Sequence, residues 1–165
     1  QDDKESTKWT QKAADQGYAN AQFNLGVTYQ FGEGEEQNLM KAVKWYQKAA
    51  DQGHADAQYN LAWMYGVGKG VEQDGKEATK WTQKAADQGH AYAQYNLGVT
   101  YQNGGGVPID RGAAYLWYSI AAANGDTDAA TAKADMAKEM IPSQIAKAQE
   151  LVKEMVKKNP KLINK

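Results

Sequence analysis

Side chains able to do chemistry are few in this chain, and most recur at one fixed interval. Histidine occurs at His54 and His90, serine at Ser6, Ser119 and Ser143, and cysteine is absent. Nucleophilic catalysis needs a nucleophile, a base and a third group that orients the base. The pattern matches neither His with such a pair. His54 and His90 stand 36 residues apart, each directly after a glycine. They read as caps or surface groups, and a separation of about 10 Å between neighbouring helical units is too wide for a shared metal without further ligands. Glu33, Glu35 and Glu36 crowd one loop and read as a solvated patch, with no acid of opposite environment facing them. Asp15, Asp51 and Asp87 repeat in phase at helix ends and are structural. Gly104-Gly105-Gly106 is not followed by the Lys-Ser/Thr of a phosphate loop. The reading is of a non-enzymatic protein without cofactor or metal. What remains is amide and aromatic chemistry: Asn24, Asn60 and Asn96 in one column, Phe23, Tyr59 and Tyr95 in another.

The elements that carry these columns are set by a tandem repeat. Lys-Ala-Ala-Asp-Gln-Gly occurs at residues 12–17, 48–53 and 84–89, and a weaker copy ends at Gly125. Ala-Gln-Phe-Asn-Leu at 21–25 returns as Ala-Gln-Tyr-Asn-Leu at 57–61 and 93–97. Such units cannot bury their own cores and must stack. Each reads as two helices. In helix A the residues Leu25, Gly26 and Tyr29, then Leu61, Ala62 and Tyr65, then Leu97, Gly98 and Tyr101 recur at helical spacing. Glycine inside a helix costs about 1 kcal/mol relative to alanine, so Gly26 and Gly98 imply a crossing where a larger side chain would force the helices apart. Helix A ends near Phe31, and glycine pairs at 32/34, 68/70 and 104/106 turn the chain. Helix B runs from Leu39 to Asp51, capped by Asn38, with Asp74 and Asp110 in the same role in the later units. Its inner face is Ala42, Trp45, Tyr46, Ala49 and Ala50. Trp9, Trp45, Trp81 and Trp117 are one periodic packing set. Lys41, Lys44 and Lys48 line its solvated face.

The expected fold is therefore all-α, a right-handed superhelical α/α solenoid of antiparallel helix pairs. It divides into a trailing helix over 1–17, repeats over 18–53, 54–89 and 90–125, and a capping helix pair and tail over 126–165. In that tail Lys133 and Ala137 replace the buried Leu and Tyr, and Ile145, Ala148, Val152, Met155 and Val156 form a stripe. Pro160 and the last residues read as frayed. The chain opens in mid-unit. A longer native array and a processed terminus both account for that.

Formal net charge is −1, with residues 126–165 leaning basic and a single arginine, Arg111. No basic field matches a phosphate backbone, so no nucleic-acid partner is expected. No apolar run approaches the roughly 20 residues of a membrane span. The absence of cysteine chooses no compartment.

The pattern Ala-x-Ala-Gln-Tyr-Asn-Leu-Gly-x-x-Tyr, then Gly-x-Gly-Val, then Ala-x-x-Trp-Tyr-x-Lys-Ala-Ala-x-x-Gly resembles the Sel1-like repeat family, relatives of the tetratricopeptide repeats. It is nearly complete in 90–106 and 42–53, and the middle unit carries it with Ala62 and Thr82 substituted. One departure is Glu35-Glu36, where the later units have Val71-Glu72 and Val107-Pro108. That change makes the first full loop looser or shapes it for a contact.

The resemblance implies that helix A lines a concave surface and helix B a convex one. The groove positions are then Asn20, Phe23, Asn24, Val27 and Phe31; Asp56, Tyr59, Asn60, Trp63 and Val67; Tyr92, Tyr95, Asn96, Val99 and Asn103. The asparagine column either clamps a peptide backbone or bonds to neighbouring helices and shapes the array. The basic residues that grip a terminal carboxylate in related proteins have no counterpart. Trp63 stands out, because its repeat equivalents are Val27 and Val99. The resemblance further implies a bacterial, periplasmic or secreted scaffold, with a cytoplasmic site also open. It would bind a protein or peptide partner and be monomeric in isolation. The alternatives are recognition of a glycan such as peptidoglycan, a role as accessory subunit of an envelope enzyme, or an architectural segment of a longer repeat protein.

Overall fold

The computed structural model describes residues 2–163. Helices α1 (Asp2–Asp15), α2 (Ala19–Phe31), α3 (Leu39–Asp51), α4 (Ala55–Val67), α5 (Gly75–Asp87), α6 (Ala91–Asn103), α7 (Arg111–Ala123), α8 (Thr127–Lys138) and α9 (Pro142–Lys158) are followed by a 3-10 turn over Pro160–Leu162. No strand occurs among the described residues. The chain forms two compact units, parted within α5 after Trp81.

Helix starts follow from local hydrogen-bond chemistry. Asn38 Oδ1 accepts from the Lys41 N–H (3.0 Å), Asp74 Oδ1 from those of Lys76 and Glu77 (2.9 and 3.1 Å), and Asp110 Oδ1 from that of Ala113 (3.0 Å). These bonds satisfy donors that no helix can pair internally. His54 and His90 do the same for α4 and α6: each Nδ1 accepts an N–H three residues on, at 3.3 and 3.2 Å. One main-chain bond recurs in the α2–α3, α4–α5 and α6–α7 loops, from Asn38, Asp74 and Asp110 N–H to the carbonyls of Tyr29, Tyr65 and Tyr101 at 2.8, 2.9 and 2.9 Å. It fixes the angle at which each pair turns back.

In the first unit Leu25, Ala42, Tyr46, Ala49, Ala57, Leu61, Met64 and Trp81 are buried together. In the second, Ala114, Tyr115, Tyr118, Ala121, Ala129, Met136, Met140 and Ala148 play that part. Small residues dominate the helix contacts because the helices approach closely. A β-carbon built on Gly26 would lie 2.6 Å from Tyr46 Cδ1 and Cε1, and one on Gly98 would overlap the Tyr118 ring. The close crossing expected at these glycines is present in both units.

Two expectations need correction. Trp81 and Trp117 are buried and Trp45 is half-buried, but Trp9 is 64% exposed. Its ring carries the Lys12 ammonium 4.4 Å from the centroid instead of a helix. The turn over Pro160–Leu162 is not frayed either, while Asn164 and Lys165 lie outside the described residues. Leu162 is 1% exposed, and its carbonyl accepts from Gln94 Nε2 (2.8 Å) and Asn124 Nδ2 (2.7 Å), while Asn159 Nδ2 donates to the Asp87 carbonyl (2.7 Å).

Candidate functional site

The A-type helices α2, α4 and α6 differ in kind from α3 and α5. The latter are amphipathic, with lysines outward and alanines inward. α4 is apolar nearly all round: Ala57, Leu61 and Met64 face the core, while Tyr59, Trp63 and Val67 form an outer row at a spacing of four. α2 repeats this with Phe23, Val27 and Phe31. A helix with two apolar faces is normally covered on both.

Within these rows the degree of cover varies. Trp63 is 40% exposed, and Phe31 and Val67 are exposed as well. The Lys69 ammonium approaches the Trp63 ring to 5.0 Å. Phe23 and Val27 are half-buried against the first core. The Phe23 ring stacks on His54 (centroids 4.6 Å apart) and leans on Tyr46 (5.8 Å). Tyr95 leans on Tyr118 in the same manner at 5.7 Å. Much of the aromatic column is therefore packing. Asn20, Asp56, Tyr92 and Asn103 are exposed, and Tyr59, Tyr95 and Val99 are half-buried.

The asparagine column is not uniform. Asn24 is exposed, whereas Asn60 and Asn96 are half-buried. Burial pushes the Tyr46 phenol up to about 12, with a hydrogen bond to the Asn60 side chain opposing the rise. Asn60 thus supports Tyr46, a core residue whose O–H also donates to Gln30 Oε1 at 2.5 Å. Tyr118 donates in the same way to Gln102 Oε1 at 2.6 Å, and burial, reinforced by Tyr95, pushes its phenol up to about 12.

Glu35, which breaks the family loop pattern, lines a cleft of about 780 Å³ with Glu5, Thr7, Lys8, Trp9, Gln11 and Lys12. Val71, its counterpart one repeat on, is partly buried against the first core. Among the described residues no group of three or more His, Asp or Glu could hold a metal ion, and no helix is long and apolar enough to cross a membrane.

Sequence reasoning passed over the glutamines. Gln22, Gln58 and Gln94 are buried, and each Nε2 donates back to the carbonyl of a preceding B-type helix: Ala14 (3.1 Å), Ala50 (3.0 Å) and Ala86 (3.1 Å). Gln52 Nε2 then donates to Gln22 Oε1, and Asn124 Nδ2 to Gln94 Oε1, both at 2.7 Å. The signal was available, since Gln holds these three positions while the residue beside it changes from Phe23 to Tyr59 and Tyr95.

The Sel1 repeat model matches residues 1–18, 19–54, 55–90 and 91–126. No curated protein matches the chain. Among solved structures, one similar to it is c5321, a protective antigen present in uropathogenic Escherichia coli strains and displaying an SLR fold. The match has a TM-score of 0.84 and 36% identity, over 94% of this chain and 34% of that one. A Sel1 repeat protein from Oxalobacter formigenes matches with a TM-score of 0.80 and 37% identity, over 94% of this chain and 65% of that one. The chain thus spans about a third and about two thirds of these two relatives.

Proposed function

The chain belongs to the Sel1 repeat family, whose members generally serve as protein-interaction scaffolds, and from that premise we propose that it holds a protein or peptide partner on the outer rows of its A-type helices. The observation that carries this reading is the second apolar face of α4. Trp63 presents an indole to solvent where Val27 and Val99 hold the same repeat position. The fold does not demand an indole there, and tryptophan is among the residues that dominate protein interfaces. Phe31 on α2 and Val67 on α4 extend the apolar surface within the first unit, and Asn24 supplies an exposed amide for a partner backbone.

Asn60 is better read as a support for Tyr46 than as a primary contact. The chain works without catalysis in this reading. Tethered core phenols and close glycine crossings keep the row ordered, so little conformational entropy is lost on the scaffold side when a partner docks.

The test is capture from envelope and soluble fractions, followed by titration of the purified partner against the parent chain and a Trp63→Ala/Val67→Asp variant. Both positions are exposed, so the variant should melt within a few degrees of the parent and bind at least about tenfold more weakly, as loss of an interface hot spot does. Unchanged affinity in the folded variant would remove α4 from the interface.

A further inference from the structure

The C-terminal turn shows how this repeat holds a foreign-looking segment of backbone. An amide nitrogen carries two hydrogens. Gln94 Nε2 gives one to the Ala86 carbonyl and the other to that of Leu162; Asn124 Nδ2 gives one to Gln94 Oε1 and the other to the same Leu162 carbonyl. Asn159 completes the grip by donating to the carbonyl of Asp87, the last residue of α5. The bound segment is Asn-Pro-Lys-Leu, in which proline sets the turn and leucine is the buried anchor.

The first unit holds the same apparatus two repeats earlier in sequence. Gln22 corresponds to Gln94, Gln52 to Asn124, and Asp15 to Asp87. Gln22 Nε2 donates to the Ala14 carbonyl and Gln52 Nε2 to Gln22 Oε1, so the internal bonds are reproduced one for one. Among the described residues each of the two amides keeps its second N–H without an acceptor, aimed by the same scaffold bonds that direct Gln94 and Asn124.

A second observation points to the same place. The repeat position occupied by His54, His90 and Asp126, where each side chain caps the following helix, is Tyr18 in the first unit. Tyr18 makes no side-chain cap bond and is 62% exposed, one helical turn from Gln22, whose N–H donates to the Tyr18 carbonyl. The sequence has given up a cap there and placed an aromatic surface beside the amide pair.

We propose that Gln22, Gln52, Tyr18 and the Asp15 carbonyl form a second recognition site, which takes a partner's Asn-Pro-x-Leu-type turn as the second unit takes residues 159–162. The site is separate from the outer rows of α2 and α4, and neither reading depends on the other.

The experiment titrates the isotope-labelled full chain with a synthetic peptide of the sequence of residues 157–165, following side-chain amide and aromatic resonances. Saturable shifts are expected at Gln22, Gln52 and Tyr18. Removing one of the two donors with Gln52→Ala should weaken binding by up to about tenfold, the net worth of a neutral hydrogen bond. Asn124→Ala should leave it unchanged. Tyr18→His restores the residue type that caps α4 and α6, so this variant should fold at least as well and still bind more weakly. A peptide with Asp in place of its leucine should not bind. The proposal is overturned if no shifts occur, if Gln52→Ala and Tyr18→His bind like the parent, or if shifts appear only around Gln94 and Asn124 as the peptide displaces the chain's own turn.

Discussion

Gly26→Ala tests the physical basis of the fold most directly. A β-carbon at that position would meet the Tyr46 ring at 2.6 Å, whereas carbon atoms pack comfortably at about 3.5–4.0 Å, so the ring must retreat by about 1 Å. Tyr46 is fully buried, its hydroxyl tied to Gln30 and its face against Phe23. Overpacking of this kind costs about 1–3 kcal/mol, and strain on the phenol's hydrogen bond adds up to about 1 kcal/mol. Replacing a helical glycine by alanine returns about 1 kcal/mol. The net expectation is destabilisation by about 2 kcal/mol.

The chain itself suggests the compensating change. Gly26, Gln30 and Tyr46 return as Gly98, Gln102 and Tyr118, but the middle repeat carries Ala62, Gly66 and Thr82, with all three positions changed together. In a Tyr46→Thr background, Gly26→Ala should therefore lose its clash and become neutral or stabilising by about 1 kcal/mol. The cycle then gives a coupling of about 2–3 kcal/mol, measured by urea unfolding followed by circular dichroism. The reasoning is refuted if Gly26→Ala is neutral in the parent, or costs the same in both backgrounds.

Two further outcomes rest on the caps and the phenols. His54→Ala should destabilise the chain by about 1 kcal/mol through loss of the α4 cap, with an added loss from the Phe23 stack. His54→Asp should restore most of the cap, because Asp126 Oδ1 accepts the Ala129 N–H at 2.8 Å from the same repeat position; thermal melts of the three proteins decide it. The phenols of Tyr46 and Tyr118 are both raised to about 12 by burial. Unfolded phenols titrate near about 10, so the folded state keeps these protons longer. Their contribution is full below pH 10 and is lost as pH rises towards 12. Urea midpoints measured across that window should fall, and Tyr46→Phe should make the fall shallower.

The sequence made legible whatever recurs and is local. Helix ends could be read from Asn38, Asp74, Asp110 and the glycine pairs, because caps and turns are decided within a few residues. The crossing at Gly26 and Gly98 was legible because a helical glycine is costly enough to need a reason. The exposure of Trp9 was not legible: its periodicity reports residue type, while burial depends on the surface packed against the helix. The turn at Pro160–Leu162 was missed for a related reason. Three residues have no periodicity, and the group that holds Leu162 is Gln94, 68 residues earlier. Aromatics in the A-type rows were only half legible, since Phe23 and Tyr95 alternate with outward residues yet spend much of their surface on His54, Tyr46 and Tyr118.

Glutamines 22 and 94 explain why a repeat of this design can present backbone-binding sites without becoming unstable. A buried amide with an unused hydrogen would be costly, but each of these glutamines already spends one bond on the preceding helix and is internally supported. The second hydrogen can then meet whatever acceptor arrives, without reorganisation. In the second unit that acceptor is the Leu162 carbonyl. An apolar row and an amide pair supply different things to a partner. Burial of Trp63 would contribute affinity with little directional preference, whereas two N–H groups converging on one carbonyl fix the register of the chain that carries it. A scaffold using both would select for an apolar face and a turn at once. For that reason the Trp63→Ala/Val67→Asp and Gln52→Ala variants should weaken a natural partner independently, with additive losses if the two surfaces engage separate segments of it.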